Sequence, residues 1–286
     1  MADRVLVTGA TGKVGRELVR QLVRHGEVVR AATRFPSIAQ QTFGPAVEVV
    51  EMDYDATETW DAALQWVDRL FLVPPPFEPD AYETIHPFLD WAVTGGVQKV
   101  VLLSAMDVEH LPELPLHRLE RHLAGLGIPH VLLRPNLYMQ NFTAGFLLDG
   151  IRRANEIALS TGDGRVSFVD GRDVAEVAAA ALRDSQHDGV AYTLTGAESL
   201  AMRDIAATLT AQSGRTIRYQ PVDDEHLRNT LATAHWPVRR ITVALGLFRA
   251  VRDGRRAAVR PDVQDVLGRR PVPFAAFAGE HAAAWR

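Results

Sequence analysis

The chain has 286 residues, with 31 basic and 35 acidic residues, 47% hydrophobic residues and no cysteine. This size and composition are typical of a globular protein with one large domain or two closely joined domains. The absence of cysteine excludes disulfides, thiolate nucleophiles and cysteine-ligated metal sites, and a reduced, cytoplasmic setting is the default. A net charge of −4 provides no field that would recruit nucleic acid or anionic lipid.

No segment predicts export or membrane insertion. The first residues, Met1 to Arg4, lack the basic and apolar regions of a signal peptide, so we expect no export signal. The apolar segment 241–251 is interrupted by Arg249 and is shorter than the roughly 20 residues that a membrane-spanning helix requires. We therefore expect no membrane contact.

The first half of the chain alternates β-branched runs with amphipathic segments, a pattern typical of βαβ units. The predicted strands are Val5–Val7, Val28–Thr33, Val47–Met52, Leu70–Val73, Val97–Leu103 and His130–Leu133. Six strands with helices between them indicate an α/β fold with a Rossmann-type, doubly wound parallel sheet.

The second half is less regular. Its predicted elements are a strand pair around the turn 161–164, an Ala-rich helix over 172–182, a strand over 192–195, and mainly helices from Ser199 with one strand over 217–219. We expect residues 1–184 to form the NAD(P)-binding sheet domain, with 136–155 contributing to a substrate pocket. Residues 185–286 then form a smaller, mainly helical substrate lobe.

A glycine loop, Thr8–Gly15, connects the first strand to the first helix, where a doubly wound fold binds a pyrophosphate. Gly9 permits the tight turn, Gly12 lets the backbone approach the phosphate, and Gly15 lets the helix pack on the sheet. The loop therefore predicts a dinucleotide site.

The Gly-x-x-Gly-x-x-Gly spacing resembles the loop of short-chain dehydrogenases/reductases, in particular the atypical, NmrA-like branch. Further motifs extend this resemblance over nearly the whole chain: Met52-Asp53, His117-x-x-Glu120, Leu133-Arg134-Pro135 and Val169-Asp170-x-Arg172-Asp173-Val174-Ala175. Together with the loop, the resemblance implies the cofactor-binding residues Gly9, Thr11, Gly12, Lys13, Val14, Gly15, Arg34, Asp53, Val73, Pro74, Arg121 and Asn136.

The end of the second strand selects the cofactor. It carries Arg34 and no carboxylate, which favours NADPH because a guanidinium can bind the 2′-phosphate; a solvated arginine is the alternative. Asp53 is placed near the adenine by resemblance, or it caps the following turn. Lys13 and Lys99 are the only lysines, against 29 arginines; Lys13 could contact phosphate or point into the active site, and Lys99 is interpreted as a surface residue.

The resemblance places Ser104 where related enzymes polarise a carbonyl. It places His117 and Arg121 where they carry the tyrosine and lysine of a Tyr-x-x-x-Lys pair, which is absent here. His117 could donate the proton, because its unperturbed pKa is about 6.5. It could equally be a surface residue, with water or a substrate phenol supplying the proton.

Four residues after the sixth strand are predicted to line the substrate pocket, with core packing as the alternative: Tyr138, Met139, Asn141 and Phe142. The sequence contains no hydrolase, nucleotidase or zinc-protease motif, and we expect no metal site.

The motifs favour an NADPH-dependent reductase that transfers a hydride to a carbonyl of a hydrophobic, polycyclic aromatic substrate. The Arg-rich, Lys-poor composition resembles that of high-GC actinobacterial proteins. Similar atypical reductases act on aromatic polyketides such as angucyclinones, so the family resemblance implies a ketoreductase of polyketide antibiotic biosynthesis. The alternatives are an NAD(P)H quinone reductase and a non-catalytic NAD(P)-sensing regulator. A monomer and a small homo-oligomer both fit the sequence.

Overall fold

The structure, a computed structural model, describes residues 4–286; residues 1–3, where the prediction about an export signal falls, lie outside the described residues. The strands are β1 (Arg4–Val7), β2 (Val28–Thr33), β3 (Glu48–Glu51), β4 (Arg69–Leu72), β5 (Lys99–Leu103), β6 (His130–Pro135), β7 (Glu156–Leu159), β8 (Arg165–Val166), β9 (Ala191–Leu194), β10 (Leu200–Ala201) and β11 (Arg218–Pro221). The helices are α1 (Gly15–Arg24), α2 (Pro36–Phe43), α3 (Trp60–Leu64), α4 (Ala81–Thr94), α5 (Pro115–Gly125), α6 (Gly145–Ala154), α7 (Gly171–Arg183), α8 (Met202–Ser213), α9 (Asp224–Thr233), α10 (Val238–Arg252), α11 (Asp262–Leu267) and α12 (Phe274–Glu280).

The main sheet has seven strands in the order β3-β2-β1-β4-β5-β6-β9, and the pairs from β3 to β6 are parallel. Val7 of β1 lies opposite Ala31 of β2 and Phe71 of β4, so the strand order reverses direction beside β1. The predicted α/β fold and its six strands are confirmed. Sequence analysis missed α2, which begins at Pro36, a residue favoured in the first turn of a helix.

Helices cover both faces of the sheet. Leu70 and Leu72 of β4 belong to one core with apolar residues of α3, α4 and α5. Successive side chains of a strand point to opposite faces, so Phe71, also fully buried, faces the side on which α1 and α7 pack together. Burial on both faces is why these strands appear in the sequence as continuous apolar runs.

The chain divides into two compact units. The first contains residues 4–75, Asp80–Pro135 and Gly171–Thr193, and the second contains Pro76–Pro79, Asn136–Asp170 and Leu194–Arg286. The predicted boundary after residue 184 differs from this division. The chain leaves the first unit at the end of β6 and returns with α7, which packs on α1, β4 and β5.

The second unit has its own hydrophobic core, in which Trp285 is fully buried and donates from Nε1 to the Phe142 carbonyl at 2.7 Å. The predicted strand pair around 161–164 is wrong, because β7 pairs in parallel with β11, and β8 pairs antiparallel with β10. Ile157 of β7, which pairs with Tyr219 of β11, belongs to this core. Within residues 4–286, no helix has the length and apolar character needed to cross a membrane.

Lys99 is buried, not a surface residue as predicted. Its ammonium pairs with Asp188 at 2.5 Å and donates to the Asp184 carbonyl at 2.8 Å. His187, which lies between Asp184 and Asp188 in the sequence, is also buried. Its Nδ1 is 2.7 Å from the Tyr192 hydroxyl. Burial is the main cause that lowers the pKa of His187, and the positive charge of Lys99 lowers it further. The negative charges of Asp184 and Asp188 act in the opposite direction and raise it.

We expect the stability of the protein to fall as the pH drops below about 6.5, partly through His187. The unfolded chain binds a proton there more readily than the folded protein, so acidification favours unfolding until the lowered folded pKa is passed. Urea unfolding of His187→Asn at pH 7.5 and pH 5.5 should show a smaller pH-dependent loss than wild type. The exposed His235→Asn variant serves as the control, and an unchanged pH dependence in His187→Asn would refute this assignment.

Candidate functional site

The glycine loop lies between β1 and α1, as predicted, and each of two glycines is required by its surroundings. Gly9 has a φ of +58°, and a Cβ there would lie 3.3 Å from Val73 Cβ. A Cβ on Gly15 would lie 2.3 Å from the Gly9 carbonyl oxygen, so no other residue fits there. Gly9, Gly12 and Lys13 are exposed, whereas Val14 is buried as it leads into α1.

Two polar residues of the loop, Thr11 and Lys13, differ in their surroundings. Thr11 is half-buried, and its carbonyl accepts a hydrogen bond from Arg16. Lys13 is exposed as a residue, but the chain around its ammonium removes part of the surrounding water. This desolvation lowers the pKa of Lys13 below its usual value.

Arg34 follows β2 directly and is exposed. Its guanidinium makes no hydrogen bond or ion pair with residues 4–286 and lies 5.7 Å from the ring centroid of Phe35. All five N–H donors of this side chain are therefore available to a ligand.

Asp53 builds the turn after β3. Its Oδ1 accepts from the Asp55 N–H at 3.2 Å, and its backbone N–H donates to Thr59 Oγ1 at 3.1 Å. Its carbonyl accepts from the Trp60 indole at 3.0 Å. The turn-capping alternative is therefore present, while Oδ2 has no hydrogen-bond partner among the described residues.

Ser104 directly follows β5 and is 6% exposed. Its N–H donates to the Leu133 carbonyl at 2.7 Å, which holds its backbone to β6. Its Oγ is buried and has no hydrogen-bond partner within residues 4–286. A buried hydroxyl without a partner costs about 1–3 kcal/mol, which marks this atom as one that a ligand could satisfy.

His117 lies in the first turn of α5 and is half-buried. Its Nδ1 lies 3.0 Å from the Val108 carbonyl, which can only accept, so Nδ1 carries a hydrogen and donates it. This contact fixes the ring, and Nε2 has no partner among the described residues. Arg121, one turn further along α5, is exposed and also lacks a partner in residues 4–286.

A buried ion pair supports this helix. The Arg134 guanidinium donates to both carboxylate oxygens of Glu120, at 3.0 and 2.7 Å, and lies 3.4 Å from Glu109. Glu120 is 4% exposed, and its pairing raises the pKa of Arg134. Glu109 follows Val108, so the Arg134 guanidinium links α5 to the segment that holds the His117 ring.

The residues predicted around the substrate lie in the second unit. Met139 and Phe142 are 1% and 0% exposed and belong to its hydrophobic core, so they are core residues and not pocket lining. Asn136 is also fully engaged: its amide donates to Ser167 Oγ and to the Arg256 carbonyl, at 2.8 and 2.9 Å.

Tyr138 and Asn141 are half-buried. The hydroxyl of Tyr138 has no hydrogen-bond partner among residues 4–286, and burial raises its pKa. The backbone N–H of Asn141 donates to the Tyr138 carbonyl at 3.1 Å. These two residues remain predicted substrate contacts.

Sequence analysis missed Tyr54. Its hydroxyl bonds to Thr8 Oγ1 at 2.9 Å and to the Val73 carbonyl at 3.0 Å, beside the glycine loop. No local pattern indicates this contact, since Thr8 and Tyr54 are 46 positions apart. Among residues 4–286, no group of three His, Asp or Glu side chains is arranged to hold a metal ion.

The sequence matches the NmrA-like family over residues 1–249. The chain belongs to the NmrA-like family. It is 35% identical to the (4-alkanoyl-5-oxo-2,5-dihydrofuran-3-yl)methyl phosphate reductase of Streptomyces griseus subsp. griseus, over 98% of this chain and 99% of that protein. It is 30% identical to the NAD(P)H azoreductase of Xenophilus azovorans, again over 98% and 99%.

The fold is similar to that of a solved structure, triphenylmethane reductase of Citrobacter sp. complexed with NADP(H). The TM-score is 0.83 at 23% identity, over 98% of this chain and 99% of that chain. The predicted resemblance to the NmrA-like family is confirmed by the family match over residues 1–249. Two motifs that carried it, His117-x-x-Glu120 and Leu133-Arg134-Pro135, contain the two halves of one ion pair.

We expect Arg134→Met to destabilise this NmrA-like protein by about 3–5 kcal/mol, because it leaves the Glu120 carboxylate buried without a counter-charge. Urea unfolding measures the change. The control is Arg20→Met, which breaks the exposed pair with Glu17 and should cost about 1 kcal/mol or less. If both variants lower the free energy of unfolding by similar amounts, the ion pair of Arg134 stabilises the protein no more than an exposed ion pair does.

Proposed function

We propose that this protein is an NADPH-dependent reductase that transfers a hydride to a carbonyl of a hydrophobic, polycyclic aromatic substrate. The observation that carries the proposal is the unpartnered, buried hydroxyl of Ser104 at the end of β5, in the unit that contains the glycine loop. The names of the relatives support it, since the two curated proteins and the solved structure described above are all reductases.

The first unit has groups suited to NADPH. The exposed Gly9 and Gly12 leave room for phosphates beside the start of α1, where the helix dipole favours negative charge. The unpaired Arg34 guanidinium would hold the 2′-phosphate, and Lys13 would add positive charge to the loop. When bound, the reduced nicotinamide supplies a hydride.

Residues of the protein would bind and protonate the carbonyl oxygen of the substrate. The Ser104 hydroxyl would donate a hydrogen bond to the carbonyl oxygen, which gains negative charge as the carbon is reduced. His117 has Nδ1 fixed by Val108, so its Nε2 is the nitrogen that can hold a proton for that oxygen. Tyr138 and Asn141, in the second unit, stay predicted substrate contacts.

By resemblance, His117 stands where related enzymes carry a tyrosine that acts as the acid. This difference affects which carbonyl substrates the protein can reduce. A carbonyl conjugated to an aromatic system, as in a quinone or a polycyclic ketone, spreads the developing charge and needs less help from a strong acid. We therefore place conjugated aromatic carbonyls ahead of isolated ketones. A ketoreductase role in polyketide antibiotic biosynthesis stays a prediction.

Arg34→Ala should weaken NADPH binding by about tenfold to a hundredfold, because charged hydrogen bonds to the 2′-phosphate would be lost. NADH has no such phosphate, so its affinity should change little. Calorimetric titration of both cofactors into wild type and the variant measures this. An equal loss for NADH would contradict the assignment of Arg34 to the phosphate.

NADPH oxidation should be measured against a panel of quinones and polycyclic ketones. In Ser104→Ala we expect kcat to fall about a hundredfold with NADPH affinity unchanged, since a donor to the oxygen is lost. His117→Asn, which can still donate to the Val108 carbonyl, should lower kcat and alter its pH profile. NADPH binding without turnover of any acceptor would refute the reductase and favour the non-catalytic sensor.

A further inference from the structure

The hydroxyl of Tyr54 connects the carboxyl ends of three strands. Tyr54 follows β3, Thr8 follows β1, and Val73 follows β4. The phenol lies 2.9 Å from Thr8 Oγ1 and 3.0 Å from the Val73 carbonyl oxygen. In the sheet order, β3 is separated from β1 by β2, so this side chain reaches across a neighbouring strand.

The Thr8 hydroxyl is fully used in this arrangement. It donates its hydrogen to the Phe71 carbonyl at 3.0 Å and accepts from the Val73 N–H at 2.8 Å and from the Tyr54 hydroxyl. A hydroxyl has one donor and two acceptor positions, so all three are occupied. Thr8 is 0% exposed, and water cannot replace a lost partner without rearrangement.

The Tyr54–Thr8 contact borders the glycine loop. Gly9, the first loop glycine, follows Thr8 directly. Val73 packs against Gly9: the Cβ of Val73 lies 3.3 Å from the position that a Cβ on Gly9 would occupy. Tyr54 and Thr8 together hold the backbone of Val73 through its N–H and its carbonyl. The same hydroxyl pair therefore fixes the start of the loop and the residue packed against it.

The environment of Tyr54 suits a structural hydrogen bond and not proton transfer. Its ring packs edge-on against Phe88, with centroids 5.3 Å apart, and burial raises its pKa, so the phenol keeps its proton at neutral pH. With one hydrogen and two acceptors in reach, the phenol shares that hydrogen between Thr8 Oγ1 and the Val73 carbonyl.

We propose that Tyr54 is a positioning residue for the cofactor: through Thr8 and Val73 it presets the glycine loop for the pyrophosphate of NADPH. The inference rests on the proposed function, because it takes NADPH as the ligand. Preorganisation lowers the ordering cost of binding, so a loop released from the Tyr54 hydroxyl should bind the pyrophosphate more weakly.

The test compares Tyr54→Phe with wild type for two ligands. NADPH contains the pyrophosphate, whereas 2′-AMP lacks it and keeps the adenosine with the 2′-phosphate that Arg34 would hold. We expect Tyr54→Phe to raise the Kd for NADPH about fivefold to tenfold and to leave the Kd for 2′-AMP unchanged. Tyr82→Phe is the matched control: it removes a phenol on α4 that lies 3.5 Å from His122, and both affinities should match wild type.

A second pair of variants distinguishes the loss of this hydrogen bond from a general folding defect. Thr8→Val removes the hydroxyl that Tyr54 contacts and should reproduce the selective loss of NADPH affinity, whereas Thr8→Ser keeps a hydroxyl and should restore it. Amide hydrogen exchange of residues 9–15 should be faster in Tyr54→Phe than in wild type without ligand.

The outcomes separate the two proposals. If wild type binds NADPH and Tyr54→Phe binds it equally well, the positioning role is wrong and the proposed function stands. An equal loss for NADPH and 2′-AMP would also overturn the positioning role, because it indicates a general structural defect. If wild type does not bind NADPH, the proposed function fails and this inference fails with it.

Discussion

The close approach of Gly15 to the Gly9 carbonyl determines where α1 can begin behind the glycine loop. A Cβ at residue 15 would lie 2.3 Å from that oxygen, closer than any side chain permits. Without a Cβ, α1 begins directly behind the loop, packs against α7, and presents its amino end at the carboxyl edge of β1. Because helices cover both faces of this parallel sheet, its carboxyl edge is where polar groups can meet a ligand.

Much of this architecture can be predicted from the sequence because burial on both faces produces visible apolar runs. The run that forms β2, Val28–Thr33, was predicted with its observed bounds. Predictions failed where a distant partner decides the structure. β7 pairs with β11, some 60 residues away, and Lys99 finds its acceptors 85 and 89 residues later, at Asp184 and Asp188. Local patterns contain no information about such partners.

The same limit applies to the candidate site. The glycine loop and Arg34 are recognisable because position in a βαβ unit fixes their surroundings. Met139 and Phe142 are adjacent in sequence to Tyr138 and Asn141, yet only the fold of the second unit shows that the first two are core residues. Tyr54 was missed because its hydrogen-bond acceptors, Thr8 and Val73, directly follow two other strands that are distant in the sequence.

The hydroxyls of Thr8 and Ser104, both at this edge of the sheet, differ in their hydrogen bonds. Thr8 has every hydrogen-bonding position of its hydroxyl filled, while Ser104, also directly after a strand, has none of its side chain paired within residues 4–286. Total folding stability is only about 5–15 kcal/mol, and an unsatisfied buried hydroxyl takes about 1–3 kcal/mol of it. An alanine at 104 would avoid that cost within the fold. The hydrogen-bond partners of Thr8 are therefore protein groups, whereas the unpaired hydroxyl of Ser104 is the observation that supports the proposed ligand contact.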